Sequence, residues 1–370
     1  MPPTLIITND FPPRIGGIES FVSDVCTLLD YDVVVYASGS SGAAASDDHR
    51  PFPVVRDRPL LLPTPRVAGR AAELLRGFGA TRVIFGAAAP LGLLAPSLRR
   101  AGACRILGLT HGHEIWWARL PAARQLLRRI GDSCDHLSTI SDFTERRIAS
   151  ALSVGARQRV LRLPPPVDLA CFRPPQTEAA RCPGRCIAVA RLIPQKGLFT
   201  LLRAWRTVVD RAAASGAVRE LVVVGAGPLR KRLERTIRDL ELTDSVRLTG
   251  ALSRADVIDQ LQQAAVFALP VRTRLAGLNP EGLGLAAIEA AACGLPVIVG
   301  KSGGAPETVR DGETGFVVSP DDHQLLAERI SRLLDNPRLA QQMGGRGRCH
   351  VTAHFSSESA RARLRDALEL

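Results

Sequence analysis

Residues 185–224 read RCIAVARLIPQKGLFTLLRAWRTVVDRAAASGAVRELVVV. A short apolar run at 186–190 leads into a loop with a proline and a glycine, then a stretch of helical spacing, then a second β-branched run at 221–224. Two almost wholly apolar strands joined by one helix form the repeating unit of a parallel sheet buried on both faces. The alternation continues through strands expected at 246–248, 266–269 and 297–299, each followed by helical pattern. It also runs through the first half, with strands expected at 5–8, 32–36, 82–85, 105–109 and 136–139, and helices near 17–29, 66–77, 91–101, 121–131 and 142–152. The fold class is α/β, built from doubly wound parallel sheets.

Between about 163 and 185 the alternation stops and prolines crowd in, at Pro164, Pro165, Pro166, Pro174, Pro175 and Pro183. The expected organisation is a Rossmann-like domain over 1–168, a linker over 169–184, a second Rossmann-like domain over 185–355, and a final helix over 356–370 that packs back on the first domain. A chain of 370 residues accommodates two such domains. Ligands of open α/β sheets bind outside the carboxyl ends of the strands, so the expectation is a central cleft onto which both sheets face.

With 46% hydrophobic and 23% charged residues the chain can bury large cores, which excludes a disordered or fibrous protein. The formal charge of +12 is carried by arginine, since only Lys196, Lys231 and Lys301 are lysines. Arginine, alanine, glycine and leucine are all abundant, as a GC-rich genome alone would produce, so net charge is weak ground for a partner. A basic nucleic-acid-binding protein is the rival from another class; aromatics at 4% leave it no interleaved stacking platform, and no nucleic acid is expected. The eight cysteines are scattered, which points to reduced thiols. Cys171, Cys182 and Cys186 lack paired spacing and a fourth zinc ligand, and Asp30 and Asp32 suit a helix-to-strand turn, so no metal is assigned. The sequence starts Met-Pro-Pro and enters a strand with no charged leader, hence the expectation of a cytoplasmic protein. The longest uncharged stretch, 83–98, contains Pro90, Gly92 and Pro96 and falls short of the roughly 20 apolar residues of a spanning helix.

Chemistry concentrates in loops that follow strands. Residues 9–18, NDFPPRIGGI, put Gly16 and Gly17 where the first helix opens, so its free amides can face an anion, although such a turn also serves chain geometry alone. Gly225 and Gly227 lack the third glycine of a dinucleotide fingerprint. Arg191 and Lys196 straddle the loop after the strand at 186–190, the outline of a diphosphate site. Residues 279–290, NPEGLGLAAIEA, set Glu281 before a helix and Glu289 inside it, and their eight-residue separation suggests one face. Gly282 and Gly284 leave first-turn amides uncovered, so carboxylates for sugar hydroxyls sit beside amides for a phosphate.

These segments, with GGAPE at 303–307 and DGETG at 311–315, resemble the family-4 retaining glycosyltransferases of GT-B architecture over nearly the whole chain. More narrowly, TNDFPP at 8–13, THGHE at 110–114 and VRTRL at 271–275 ahead of Glu281 are similar to bacterial GDP-mannose-dependent phosphatidylinositol monomannoside α-1,6-mannosyltransferases. The approach through Asn279 and Pro280 departs from the family pattern, and the Ser/Gly/Ala/Asp-rich region 38–49 is expected to be a loose loop. The resemblance implies that Arg191 and Lys196 bind the donor diphosphate in place of a metal, that Glu281 and the amides of Gly282, Leu283 and Gly284 hold the transferred sugar, and that Glu289 holds the ribose. It further implies that Gly16 and Gly17 close on the phosphate, that His111 contacts the sugar with His113 as its alternate, and that Asp10 faces the acceptor hydroxyl. The implied partners are GDP-mannose, a glycolipid acceptor and an anionic membrane surface at the inner face of the cell membrane. For that surface the helices carrying Arg124 and Arg128, and Arg66 and Arg70, are the candidates.

Overall fold

The computed structural model describes residues 3–14, 16–177, 180–213, 216–277 and 279–370. The chain divides into two compact units, one running to Pro166 and completed by Ser357–Leu370, the other Val167–Ser356.

The first unit is built on seven parallel strands: β1 (Thr4–Thr8), β2 (Val33–Ala37), β3 (Val54–Arg56), β4 (Arg82–Phe85), β5 (Arg105–Leu109), β6 (His136–Thr139) and β7 (Val160–Arg162). Their order is β3-β2-β1-β4-β5-β6-β7, with Leu5 registered against Val34 on one side and Val83 on the other. Side chains alternate between the two faces. Leu5, Ile7, Val34, Tyr36, Val83 and Phe85 join one buried cluster, while Ile6, Val33, Val35 and Ile84 join the other. That period of two, with both faces apolar, explains why the central strands are legible in the sequence. β3 and β7 were not among the expected strands. Each is three residues long, half-exposed and at an edge of the sheet, so neither carries an apolar run.

The region 38–49, expected as a loose loop, contains a short helix, Ala43–Asp47, entered from Gly42 in the left-handed conformation at φ +73°. Asp47 fixes it with an ion pair to Arg56 of β3 at 2.8 Å. The helix expected at 91–101 is divided into Ala88–Leu91, a 3₁₀ turn Gly92–Leu94, and Ala95–Arg100. The C-terminal helix Ser357–Leu368 adds Ala360, Leu364 and Leu368 to a core cluster of the first unit, and Arg82 Nε donates to the carbonyl of Leu368 at 2.9 Å.

The second unit has six parallel strands: β8 (Arg185–Val189), β9 (Glu220–Val224), β10 (Val246–Gly250), β11 (Val266–Leu269), β12 (Val297–Gly300) and β13 (Gly315–Val318), in the order β10-β9-β8-β11-β12-β13. β13, also unforeseen in the sequence, forms an edge. The stretch 169–184, expected as a linker, is bonded into this unit where it is described; residues 178 and 179 lie outside the described residues. Arg181 donates to the carbonyls of Ala264 and Cys293 at 2.9 and 2.8 Å, and Arg348 donates to the carbonyl of Phe172 at 3.1 Å. In both sheets the strand order reverses beside the first strand, between β1 and β4 and between β8 and β11. Such a switch point, at the carboxyl edge of the strands, is where open α/β sheets place their ligands.

Candidate active site

In the second unit, the loops after β8 and β11 meet at that switch point, where the Arg272 N–H donates to the Gln195 carbonyl at 2.8 Å. The first turns through a 3₁₀ segment, Pro194–Lys196, and ends at Gly197 with φ +67°. A Cβ there would lie 1.9 Å from the carbonyl oxygen of Pro270, so only glycine allows this loop to pack on the one after β11. Lys196 Nζ lies 2.7 Å from Glu281 Oε2, and both side chains are largely buried, at 17% and 11% exposure. Arg191 is exposed and has no ion-pair partner among the described residues. The structure thus pairs one of the two expected phosphate cations with the expected sugar carboxylate, and leaves the other open to solvent.

Glu281 is fixed from several directions. Its N–H donates to Ser302 Oγ at 3.3 Å, and its carbonyl accepts from Gly304 N–H at 2.9 Å. Gly303, at φ +58°, would bring a Cβ to 1.8 Å from that same carbonyl oxygen. The unusual approach through Asn279 and Pro280 has a structural use. Asn279 exchanges both backbone hydrogen bonds with Arg274, at 3.0 and 3.1 Å, and the Pro280 carbonyl accepts from Gln195 Nε2 at 2.7 Å.

The helix following Glu281 starts only at Leu285, with Gly284 as its N-cap at φ +96°. Glu281 therefore lies outside the helix and Glu289 little more than one turn inside it. The helical spacing expected to align the two does not apply, because the glycines interrupt it. Gly284 supplies no side-chain cap, which leaves the first-turn amides uncovered by it; Leu283 is buried and Gly282 and Glu289 are half-buried.

In the first unit, β1, β4 and β5 deliver the other expected residues. Thr8 Oγ1 donates to the Asp10 carbonyl at 3.1 Å and accepts from the Asp10 N–H at 2.9 Å, which turns the chain at the end of β1. Gly16 is the N-cap of the helix Gly17–Leu28, in extended conformation and with no side-chain cap. Extended backbone suits any residue, and a Cβ here would meet only the tip of the Glu19 side chain, at 2.2 Å, which can swing aside, so the conformation seen does not demand glycine. Glu19 lies in the first turn of that helix, where its charge is favourable to the helix dipole.

His111 follows β5, and its Nε2 lies 2.6 Å from the carbonyl of Gly86, which follows β4. A carbonyl can only accept, so Nε2 carries the proton. Burial disfavours the imidazolium and holds the His111 pKa below its ordinary value, against the opposing pull of Glu114 and, more weakly, Asp10. A neutral ring protonated on Nε2 carries its lone pair on Nδ1. His113 stacks on His111 with centroids 6.2 Å apart but is more exposed, at 37% of its side chain. Among the described residues no three of His, Cys, Asp and Glu gather as a metal-binding group.

Comparison with known proteins places this geometry. Residues 15–170 match Glycosyltransferase Family 4 and residues 178–350 match Glycosyl transferases group 1. The chain is 41% identical to the GDP-mannose-dependent monoacylated alpha-(1-6)-phosphatidylinositol monomannoside mannosyltransferase of Corynebacterium glutamicum, over 99% of this chain and 97% of that one. The chain is a family-4 glycosyltransferase. It is also 40% identical to the GDP-mannose-dependent alpha-(1-6)-phosphatidylinositol monomannoside mannosyltransferase of Mycolicibacterium smegmatis, over 98% of this chain and 97% of that one. A solved structure of Anabaena HepE in complex with UDP covers 99% of both chains with a TM-score of 0.81 at 17% identity, and fixes the fold of this glycosyltransferase as GT-B.

Several residues that shape the glycosyltransferase site had no role in the sequence reading. Gln195, Ser302 and Gly303 hold Glu281, and Glu114 holds the His111 loop. Gln195 and Ser302 are ordinary polar loop residues whose partners lie 85 and 21 positions away, so nothing local marks them.

Proposed function

We propose that this glycosyltransferase moves mannose from GDP-mannose to a phosphatidylinositol monomannoside, forming an α-1,6 linkage with retention of configuration. The observation that carries the reading is the 40–41% identity, over nearly full length, to enzymes bearing that activity in their names. The residues are suited to it. Arg191, open to solvent, and Lys196, paired with Glu281 until the donor arrives, neutralise the diphosphate as it leaves, without a metal, since cations placed on the loop after β8 stabilise that charge as it develops. Glu281 and the amides of Gly282 to Gly284 hold the mannose, Glu289 holds the ribose, and Gly16 and Gly17 offer helix amides to the phosphate. His111 presents Nδ1 as an acceptor to a sugar hydroxyl. Asp10 faces the acceptor hydroxyl, whose proton passes to the leaving phosphate in front-face attack.

No helix among the described residues is long and apolar enough to cross a membrane. Attachment to the inner face of the cell membrane is proposed to be peripheral and electrostatic. Arg66, Arg70, Arg124 and Arg128 are exposed, whereas Leu74, Leu127 and Ile130 on the same helices are buried in the core, so these helices offer charge to a surface and keep their apolar stripes inside. Co-sedimentation with anionic vesicles is expected to fall as salt rises.

The test of the reaction is incubation with GDP-mannose and phosphatidylinositol monomannoside in excess EDTA, with product linkage read by NMR and UDP-glucose as the control donor. An α-1,6 dimannoside formed from GDP-mannose alone supports the proposal. A β-linked product, preference for UDP-glucose, or activity that returns only with added magnesium or manganese contradicts it.

A further inference from the structure

Glu114 opens the short helix Glu114–Arg119 with its side chain fully buried. A buried carboxylate is costly unless it is well partnered, so its neighbours show what it serves. Its Oε2 accepts two backbone hydrogen bonds, from His111 N–H at 3.0 Å and from Gly112 N–H at 3.1 Å. Its Oε1 lies 3.3 Å from His113 Nε2 and makes no hydrogen bond of good geometry. Gly112, at φ +99°, makes the bend that turns both amides towards one oxygen. From the other side His111 is held by the Gly86 carbonyl on Nε2 and by the edge-to-face ring of Phe21, centroids 5.8 Å apart. Gly86 itself leaves no room for change, since a Cβ there would sit 2.6 Å from Thr8 of β1.

We infer that Glu114 is a positioning residue for the transfer reaction: it fixes the backbone of His111 and so the direction in which the imidazole presents its acceptor nitrogen. This rests on the role proposed above for His111. Hydrogen-bonding geometry, and not negative charge, is what Glu114 contributes. Glutamine in its place keeps an oxygen for both amides and puts an NH₂ group beside His113 Nε2, where Oε1 now goes unbonded. Aspartate keeps the charge but is one methylene too short to reach both amides with the helix in place.

The experiment is a comparison of E114A, E114Q, E114D, H111A and the double variant H111A/E114A, each assayed for mannosyl transfer from GDP-mannose and for GDP affinity by calorimetry. E114A is expected to lower kcat by roughly tenfold or more, as misplacement of a reacting geometry by a fraction of an ångström does, with the KM for GDP-mannose and the GDP affinity changed less than about threefold. E114Q is expected to retain at least tenfold more turnover than E114A or E114D. In the H111A background, E114A is expected to add no further loss, because a residue acting through His111 has nothing left to position. Losses that multiply in the double variant, E114D as active as E114Q, or a defect carried by KM would each overturn the proposal. If E114A does not fold, the contrast between E114Q and E114D still decides it. H111A with wild-type turnover would instead remove the role of His111, an outcome distinct from failure of Glu114 alone.

Discussion

Two carboxylates, Glu281 and Glu114, are held in different ways, and under the proposed function the contrast separates a residue that meets a ligand from one that supports such a residue. Glu281 is fixed through its backbone, by Ser302 and Gly304, while its side chain pairs with a cation, Lys196. Glu114 is fixed through its side chain, by two backbone amides that have no other place to go. A carboxylate on a cation can exchange that partner for substrate: in the proposed donor site an incoming diphosphate competes for Lys196 and releases Glu281 towards hydroxyls. A carboxylate spent on amides in a closed bend cannot. The ion pair also offsets part of the desolvation cost that each largely buried charge would carry unpaired.

The largest effect that would sharpen this contrast is at the cations. Lys196→Ala and Arg191→Ala are each expected to lower turnover by roughly 10²-fold or more, as loss of an electrostatic group at the developing charge does, and near-wild-type rates in both would remove the proposed phosphate site. Next is the backbone that holds Glu281. Gly303→Ala puts a Cβ against the Glu281 carbonyl in the left-handed region, and is expected to cost about 1–3 kcal/mol in urea denaturation together with a loss of transfer. A silent Gly303→Ala would mean that Glu281 is not held as described.

A smaller effect tests the His111 side. Its folded-state pKa lies below the ordinary 6.5, so as pH falls through that value the unfolded chain takes up the proton more readily than the folded one. The folded state therefore pays a growing cost below pH 6.5 and none well above it. Urea denaturation at pH 7.5 and 5.5 is expected to show a steeper loss of stability on acidification for the wild type than for His111→Asn. Equal slopes would mean that the ring is not held neutral by burial.

The central strands and the loops that follow β8 and β11 were legible because sheets buried on both faces demand continuous apolar runs, and because Arg191 and Lys196 stand in the loop after β8 and Glu281 in the loop after β11. The edge strands β3, β7 and β13 were not, since an edge strand has too little burial to impose a pattern. Glu114 stands in the THGHE segment, yet at the start of a helix an acidic residue ordinarily indicates a solvated cap; only the fold buries it under the amides of His111 and Gly112. The relation between Glu281 and Glu289 was legible as a pair but not as a geometry, because Gly282 and Gly284 delay the helix to Leu285.

The most direct measurement is calorimetric titration of GDP into the wild type, Lys196→Ala and Glu281→Ala, beside their transfer rates. If Lys196 exchanges Glu281 for the diphosphate, Lys196→Ala weakens GDP binding by about ten- to a hundredfold, the worth of a charge-assisted hydrogen bond. Glu281→Ala, which frees Lys196 in advance, binds GDP as tightly as the wild type or more tightly while losing transfer. Weakening of GDP binding by Glu281→Ala to the same degree as by Lys196→Ala would contradict the division of roles between the two.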